Sequence, residues 1–263
     1  MTSAASAPSD PESDNTLGIP VFDPTTSTKF STWLIIAPRR SGKTRLLRHL
    51  LYATRHNYDF GMAMVGTQST ADMMHQHLPQ DFIYKEGYDL GQAKNFLSTF
   101  RTLSESPKRR SGLLLLDDCI FDATVMKSQP IRTLHLNGRH FYTTVMCTTQ
   151  YAIAVPTIVR SNLDYIIALS EPNLNNIKNL YQHYFGHYDS FSQFRTVFEQ
   201  VTRNYGAVVL DKTSSPPTVK YFKARLDLPD FKIGRPIYYW MSGWFKELAE
   251  KKNKTKGKGI GKK

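Results

Sequence analysis

Two cysteines in 263 residues are too few for a disulfide framework. Cys119 and Cys147 each lie beside an apolar, strand-like run, so buried thiols in a reducing compartment explain them. No Cys/His spacing suggests zinc: His183 and His187 stand four apart and could share a helix face, but no third ligand or adjacent glutamate follows. A solvated helix face is the plainer reading. No apolar run reaches the ~18 residues of a membrane span, and the N-terminus lacks the basic-then-apolar order of a secretory signal. A soluble, intracellular protein is expected. The Asn-Lys-x-Asp motif that reads guanine is missing too, which disfavours a GTPase. Acid is in short supply: 22 Asp and Glu face 34 Lys and Arg, for a net charge of +12. Seven of the bases are lysines in residues 251–263, and residues 1–23 hold four acids and no base, so the chain between still carries +9. The basicity is not just a tail. It points to a polyanionic partner, with a solubilising surface charge as the alternative.

What is present begins at residues 33–51, WLIIAPRRSGKTRLLRHLL. Trp33, Leu34, Ile35 and Ile36 read as a buried strand, and Leu46, Leu47, Leu50 and Leu51 recur at helical spacing. Between them lies a turn suited to a phosphate chain, which needs converging backbone N–H groups, a cation and a hydroxyl for Mg²⁺. Ala37, Pro38, Arg39, Arg40 and Ser41 would form the nest, and Gly42 would let the backbone approach closely. Lys43 would reach the β- and γ-phosphates, Thr44 would ligate Mg²⁺, and Arg45 would stand in the opening turn of the helix, whose dipole adds positive potential. Three of the four fixed positions of G-x-x-x-x-G-K-[ST] are matched, with Ala37 where glycine is usual. The alternative is an incidental Gly-Lys-Thr in a turn.

Residues 60–65 (FGMAMV) read as a second strand, and residues 69–103 as helix and loop. Residues 113–116, four leucines, end in Asp117-Asp118. An apolar strand closing on paired acids resembles a Walker B strand, in which Asp117 would hold the Mg²⁺ shell and Asp118 would orient or deprotonate water. A core strand ending in surface acids is the competing explanation. Residues 143–147 form another expected strand, followed by Thr148-Thr149-Gln150. Ligands of doubly wound sheets sit at the C-terminal ends of strands, so Gln150 is a candidate sensor of the γ-phosphate, or else an ordinary polar loop residue. Residues 164–169 form a fifth strand, and Arg160 would lie near its N-terminal end, away from its own nucleotide. It could act as an arginine finger on a neighbouring subunit or simply be a salt-bridged surface residue.

Residues 173–185 and 190–202 look helical, and residues 206–210 and 218–222 look like two more strands joined by a turn. The expected organisation is a mobile segment 1–28, one domain over 29–228, an aromatic-rich extension 229–250 that is core or docking surface, and a disordered lysine tail 251–263 able to touch phosphates. Lys108, Arg109 and Arg110 are a candidate DNA contact, or a solvated loop.

In APRRSGKT, LLLLDD, GRHFYTTVMCTTQ running on to PTIVRSNLDYIIAL, and AVVLDKTSSPPTVKYFKARLD, the chain resembles the genome-packaging ATPases of large eukaryotic DNA viruses, the poxvirus-type branch of the FtsK-HerA superfamily. The resemblance covers about residues 30–225. It implies an α/β, RecA-like P-loop NTPase fold with a mostly parallel sheet and an extra strand between the Walker A and Walker B strands. It further implies ATP and Mg²⁺ as cofactors, a homo-oligomeric ring of roughly five or six subunits, and translocation of double-stranded DNA into a preformed capsid. Partners would include a capsid or vertex protein, and the setting would be the infected cell, its cytoplasm or viral factory, or the virion. Carried over by position, Lys43 and Thr44 bind nucleotide and magnesium, Asp117 binds magnesium, Asp118 is the catalytic acid, Gln150 the sensor and Arg160 the finger. Two departures stand out: Ala37 replaces glycine, and Asp118 replaces the commoner glutamate, with shorter reach to the water. The competing functions are a small-molecule phosphotransferase, which leaves the basic core unexplained, and a nucleic-acid-binding protein with a vestigial nucleotide site.

Overall fold

Strands covered on both faces read as continuous apolar runs, and this chain builds its centre from such runs. The computed structural model describes residues 17–119 and 123–241. Strands β1 (Thr32–Ile36), β2 (Phe60–Val65), β3 (Ile83–Tyr84), β4 (Gly112–Asp117), β5 (Thr143–Thr149), β6 (Tyr165–Leu169), β7 (Gly206–Asp211) and β8 (Thr218–Lys223) form one sheet in the order β3-β2-β4-β5-β1-β6-β7-β8. β1, β4, β5, β6 and β7 are buried along their whole length. All pairings are parallel except those of β7, which runs against β6 and β8. β5 separates β1 from β4, with Leu34 opposite Cys147 and Leu116 opposite the same residue on the other side. The expected α/β fold with an extra strand between the two motif strands is therefore present.

The alternation of strand side chains divides the core. Leu34 and Ile36 face one layer with α3 (Leu90–Glu105), α5 (Gln129–Asn137), α7 (Leu174–His183) and α8 (Phe191–Val201). Trp33 and Ile35 face the other, with α1 (Lys43–Thr54), α2 (Gln68–His75) and the aromatic side chains of Phe231 and Tyr238. Two short helices, α4 (Ala123–Lys127) and α6 (Thr157–Ser161), complete the first layer. In α1 the buried set is Leu46, Leu47, Leu50 and Leu51, the periodic leucines of the sequence. Gly112 is required where α3 crosses the start of β4: a Cβ there would lie 2.3 Å from the Phe100 ring.

Several expectations change. β3 was not anticipated, because a two-residue edge strand carries no periodic signal. Part of the N-terminal stretch is packed: Phe22 is buried against Trp33, Tyr165 and Phe222, and its N–H donates to Tyr221 O at 2.7 Å. His183 closes α7, so His187 lies beyond the helix and the two do not share a helix face. In the aromatic extension Phe231 and Tyr238 are core, while Trp240 is exposed. Trp244 and the lysine tail lie outside the described residues. Arg109 stacks over the Tyr142 ring and Arg110 pairs with Asp59 at 3.8 Å, so two of the three candidate DNA-contact bases have partners within the chain.

Candidate functional site

Parallel strands bring their C-terminal ends to one edge of the sheet, and the sequence motifs meet there. The turn after β1 is anchored by Ala37, whose N–H donates to Thr149 O at 2.9 Å. Ala37 is fully buried and is not among the residues of positive φ, so a methyl group replaces the usual glycine hydrogen without backbone strain. The left-handed positions are Arg40 (φ 64°) and Gly42 (φ 96°). Gly42 caps α1, and no side-chain hydrogen bond occupies that cap. The N–H groups of the first turn therefore point into the concavity, as an anion requires.

At the end of β4, Asp117 is completely buried and its two carboxylate oxygens are held separately. Thr148 Oγ1 donates to Oδ1 at 2.6 Å and Thr70 Oγ1 donates to Oδ2 at 2.6 Å. Thr148 Oγ1 also accepts the N–H of Asp118 at 3.0 Å, so one hydroxyl fixes both acids. Asp118 has φ 52°, a left-handed turn that sends its side chain to Lys43. Lys43 Nζ bonds Asp118 Oδ2 and lies 3.4 Å from Asp117 Oδ1. The turn is tight on its other side as well: a Cβ on Gly66 would come within 2.8 Å of Asp118 O.

Beside these groups lies a cleft of about 460 Å³. It is lined by Ala37, Pro38, Arg39, Arg40, Lys43 and Thr44 of the loop and helix start, by Asp118 and Gln150 after β4 and β5, and by Gly66, Thr67, Ser69 and Thr70 after β2. Ser41 holds the loop through its own hydroxyl, which donates to Pro38 O at 2.8 Å. A separate cavity lined mainly by apolar side chains lies between α3, β2 and Tyr238, but none of the motif residues faces it. Gln150 follows β5 directly and so stands between the two motif strands. Arg160 does not line the cleft. It lies on α6, just before β6 begins, with Nη2 donating to Thr157 Oγ1 at 2.8 Å. Thr70, Thr67 and Gly66 were not singled out in the sequence; the signal available was the Gly-Thr pair directly after an apolar strand, and only the pairing of β2 with β4 places it beside the acids.

Cys119 sits immediately behind the paired acids, donating to Met64 O at 3.2 Å. Burial, and then the negative charges of Asp117 and Asp118, push its thiol up to about 12. It is an inert packing group rather than a nucleophile. The described residues contain no cluster of three or more His, Cys, Asp or Glu able to hold a metal ion by themselves. Of the two expected magnesium ligands, Thr44 lines the cleft, whereas Asp117 is completely buried behind it with both carboxylate oxygens engaged.

Because Thr148 serves both acids, Thr148→Val takes the hydroxyl from buried Asp117 Oδ1, leaving it only Lys43 at 3.4 Å, and leaves the partly buried Asp118 N–H without its acceptor, at nearly constant volume. Each unsatisfied group costs about 1–3 kcal/mol, so a loss of that order or more is expected in the unfolding free energy, read from urea denaturation. An unchanged midpoint would mean that water replaces the hydroxyl.

The sheet order and the phosphate-type loop define a P-loop NTPase fold. The genome packaging NTPase B204 of Sulfolobus turreted icosahedral virus 2, solved with ATP-gammaS, superposes with a TM-score of 0.52 over 74% of this chain and 98% of its own, at 16% identity. No protein-family model matches the chain. Among sequences, uncharacterized protein 075L of Invertebrate iridescent virus 6 is 31% identical over 208 residues, 76% of this chain and 80% of that protein. Uncharacterized protein 088R of Invertebrate iridescent virus 3 is 28% identical over 207 residues, 76% of this chain and 79% of that protein. The chain belongs to the family of large DNA-virus proteins that includes 075L.

Proposed function

We propose that this chain is an ATP-hydrolysing motor that drives double-stranded DNA into a preformed viral capsid, of the poxvirus-type branch of the FtsK-HerA superfamily. The observation that carries the reading is the convergence of Lys43, Asp118 and Gln150 on one cleft across β5. In this reading the loop from Ala37 to Arg45 holds the triphosphate. Lys43 leaves the carboxylates for the β- and γ-phosphates, Asp118, once released, takes a proton from the attacking water, and Gln150 senses the γ-phosphate. Thr44 and Asp117 hold Mg²⁺, which would neutralise phosphate charge. Arg160, remote from its own cleft, serves the neighbouring subunit of a ring. The net charge of +12 suits a DNA path, and the likeness in fold to B204, a genome packaging NTPase, supports the same reading. A capsid or vertex protein would be the docking partner, within the infected cell.

The test is ATP hydrolysis by the purified protein with and without long double-stranded DNA, with Lys43→Ala as the blank. DNA stimulation absent from the blank is the expected result; turnover indifferent to DNA would redirect the reading to a small-molecule acceptor. Asp118→Asn is expected to lower turnover by about 10²–10⁴-fold, the usual worth of a positioned acid-base group. It should bind ATP at least as tightly as the parent, because it loosens the hold on Lys43. Full turnover by this variant would remove Asp118 from the catalytic role.

A further inference from the structure

We propose that Tyr205 is the platform on which the base of the nucleotide stacks; the assignment rests on the nucleotide-binding role proposed above and adds the part of the ligand that the loop and acids leave unrecognised. The reversal of β7 brings this residue to the site. β7 is antiparallel to β6, with Ala207 opposite Leu169, so it starts at the edge where β1 and β6 end. Tyr205, two residues before Ala207, is thereby delivered to the mouth of the phosphate-type loop. Its ring lies against Gly42 at the start of α1: a Cβ on Gly42 would be 3.1 Å from Tyr205 Cδ1 and 3.8 Å from Cγ.

Tyr205 is 63% exposed, yet its backbone is tightly set. Asn204 (φ 52°) and Tyr205 (φ 64°) are consecutive left-handed residues, and the next residue packs so closely that a Cβ on Gly206 would meet Val201 O at 2.1 Å. Left-handed backbone in non-glycine residues persists only where its surroundings enforce it. The result is an aromatic face presented to solvent from a fixed turn. Beside it lies a second cavity of about 300 Å³, lined by Arg40, Gly42, Lys43, Thr44, Arg45 and Tyr205. It shares Arg40, Lys43 and Thr44 with the phosphate cleft. A ligand whose terminal phosphates occupy the cleft between Lys43 and Asp118 must carry its other end past Thr44 and Arg45, and the flat group there meets the tyrosine ring. Stacking on an aromatic ring is available to every base, since each has a π-face, and it contributes about 1–3 kcal/mol per base.

The experiment compares binding of ATP and of inorganic tripolyphosphate, with magnesium, by calorimetry on the full chain. Tyr205→Ala is expected to weaken ATP about 5- to 150-fold, the stacking energy above converted at RT, and to leave tripolyphosphate within about 2-fold, since that ligand has no base. Tyr205→Phe should keep both affinities. Tyr205→Asn, whose side chain tolerates left-handed backbone, should behave as the alanine variant does, which separates stacking from strain in the turn. Equal weakening of both ligands would show that Tyr205 acts by bracing Gly42 and would overturn the proposal, as would unchanged ATP affinity in the alanine variant. Failure of the parent protein to bind either ligand would instead remove the phosphate site itself.

Discussion

Lys43→Ala is expected to abolish nucleotide binding and to destabilise the fold at the same time. The first effect follows from the proposed role of the loop, in which Lys43 would supply the cation for the β- and γ-phosphates. The second follows from the acids. Lys43 is 13% exposed and stands against Asp117, fully buried, and Asp118, 16% exposed. Without the ammonium, two adjacent carboxylates face each other with only hydroxyl partners on Asp117. Removing one member of a buried charge pair costs about 3–5 kcal/mol, and the lower end applies because Asp118 reaches solvent. Urea unfolding together with titration of an ATP analogue measures both effects. The double variant Lys43→Ala/Asp118→Asn should recover much of the stability and none of the binding, because the repulsion is relieved while the phosphate cation is still missing. Recovery of binding in the double variant would mean that Lys43 matters only as a counter-ion to the acids.

The same charge cluster shows what a linear sequence can and cannot convey. The placement of loop and acids was legible because each stretch is local: a strand ends, and the polar residues follow at once. The position of Gln150 was legible for the same reason, since it follows β5 directly. Thr70 was not. It contacts Asp117 only because β2 pairs with β4 and the chain after Val65 turns back through Gly66 and Thr67 into α2, a relation between segments 47 residues apart. Thr148 was visible as part of a polar cluster, but its two hydrogen bonds, donated to Asp117 and accepted from the Asp118 N–H, depend on β5 lying beside β4. Tyr205 was hidden twice over. Its helix-to-strand turn looks like any connection, and its approach to Gly42 depends on the antiparallel direction of β7. The sheet's centre was readable because buried strands are apolar throughout; β3, two residues at an edge, offered no pattern. The packed strap around Phe22 was masked by its setting in a Ser-, Thr- and Pro-rich stretch whose composition argues for mobility.

Arg160→Ala is expected to leave ATP binding by each subunit intact and to reduce hydrolysis by the assembled ring about 10³–10⁵-fold, the usual worth of an arginine finger. Its position motivates the expectation. α6 precedes the N-terminal end of β6, and Arg160 is not among the residues that line the cleft at the C-terminal ends of the strands. Within its own chain the side chain bonds Thr157 Oγ1, and it lies close enough to the Tyr184 hydroxyl to act on it. These are single neutral contacts that a γ-phosphate can displace, since hydrogen bonds between charged groups are roughly twice as strong. The decisive measurement mixes Arg160→Ala subunits with Lys43→Ala subunits, each inactive alone. A finger acting across the subunit boundary lets the intact site of an Arg160→Ala subunit meet the intact finger of a Lys43→Ala neighbour, so activity should return in the mixture. No recovery would place Arg160 in a structural role at α6. A fall in ATP affinity of the isolated subunit would argue the same, because α6 would then be coupled to its own cleft through the segment that follows Gln150.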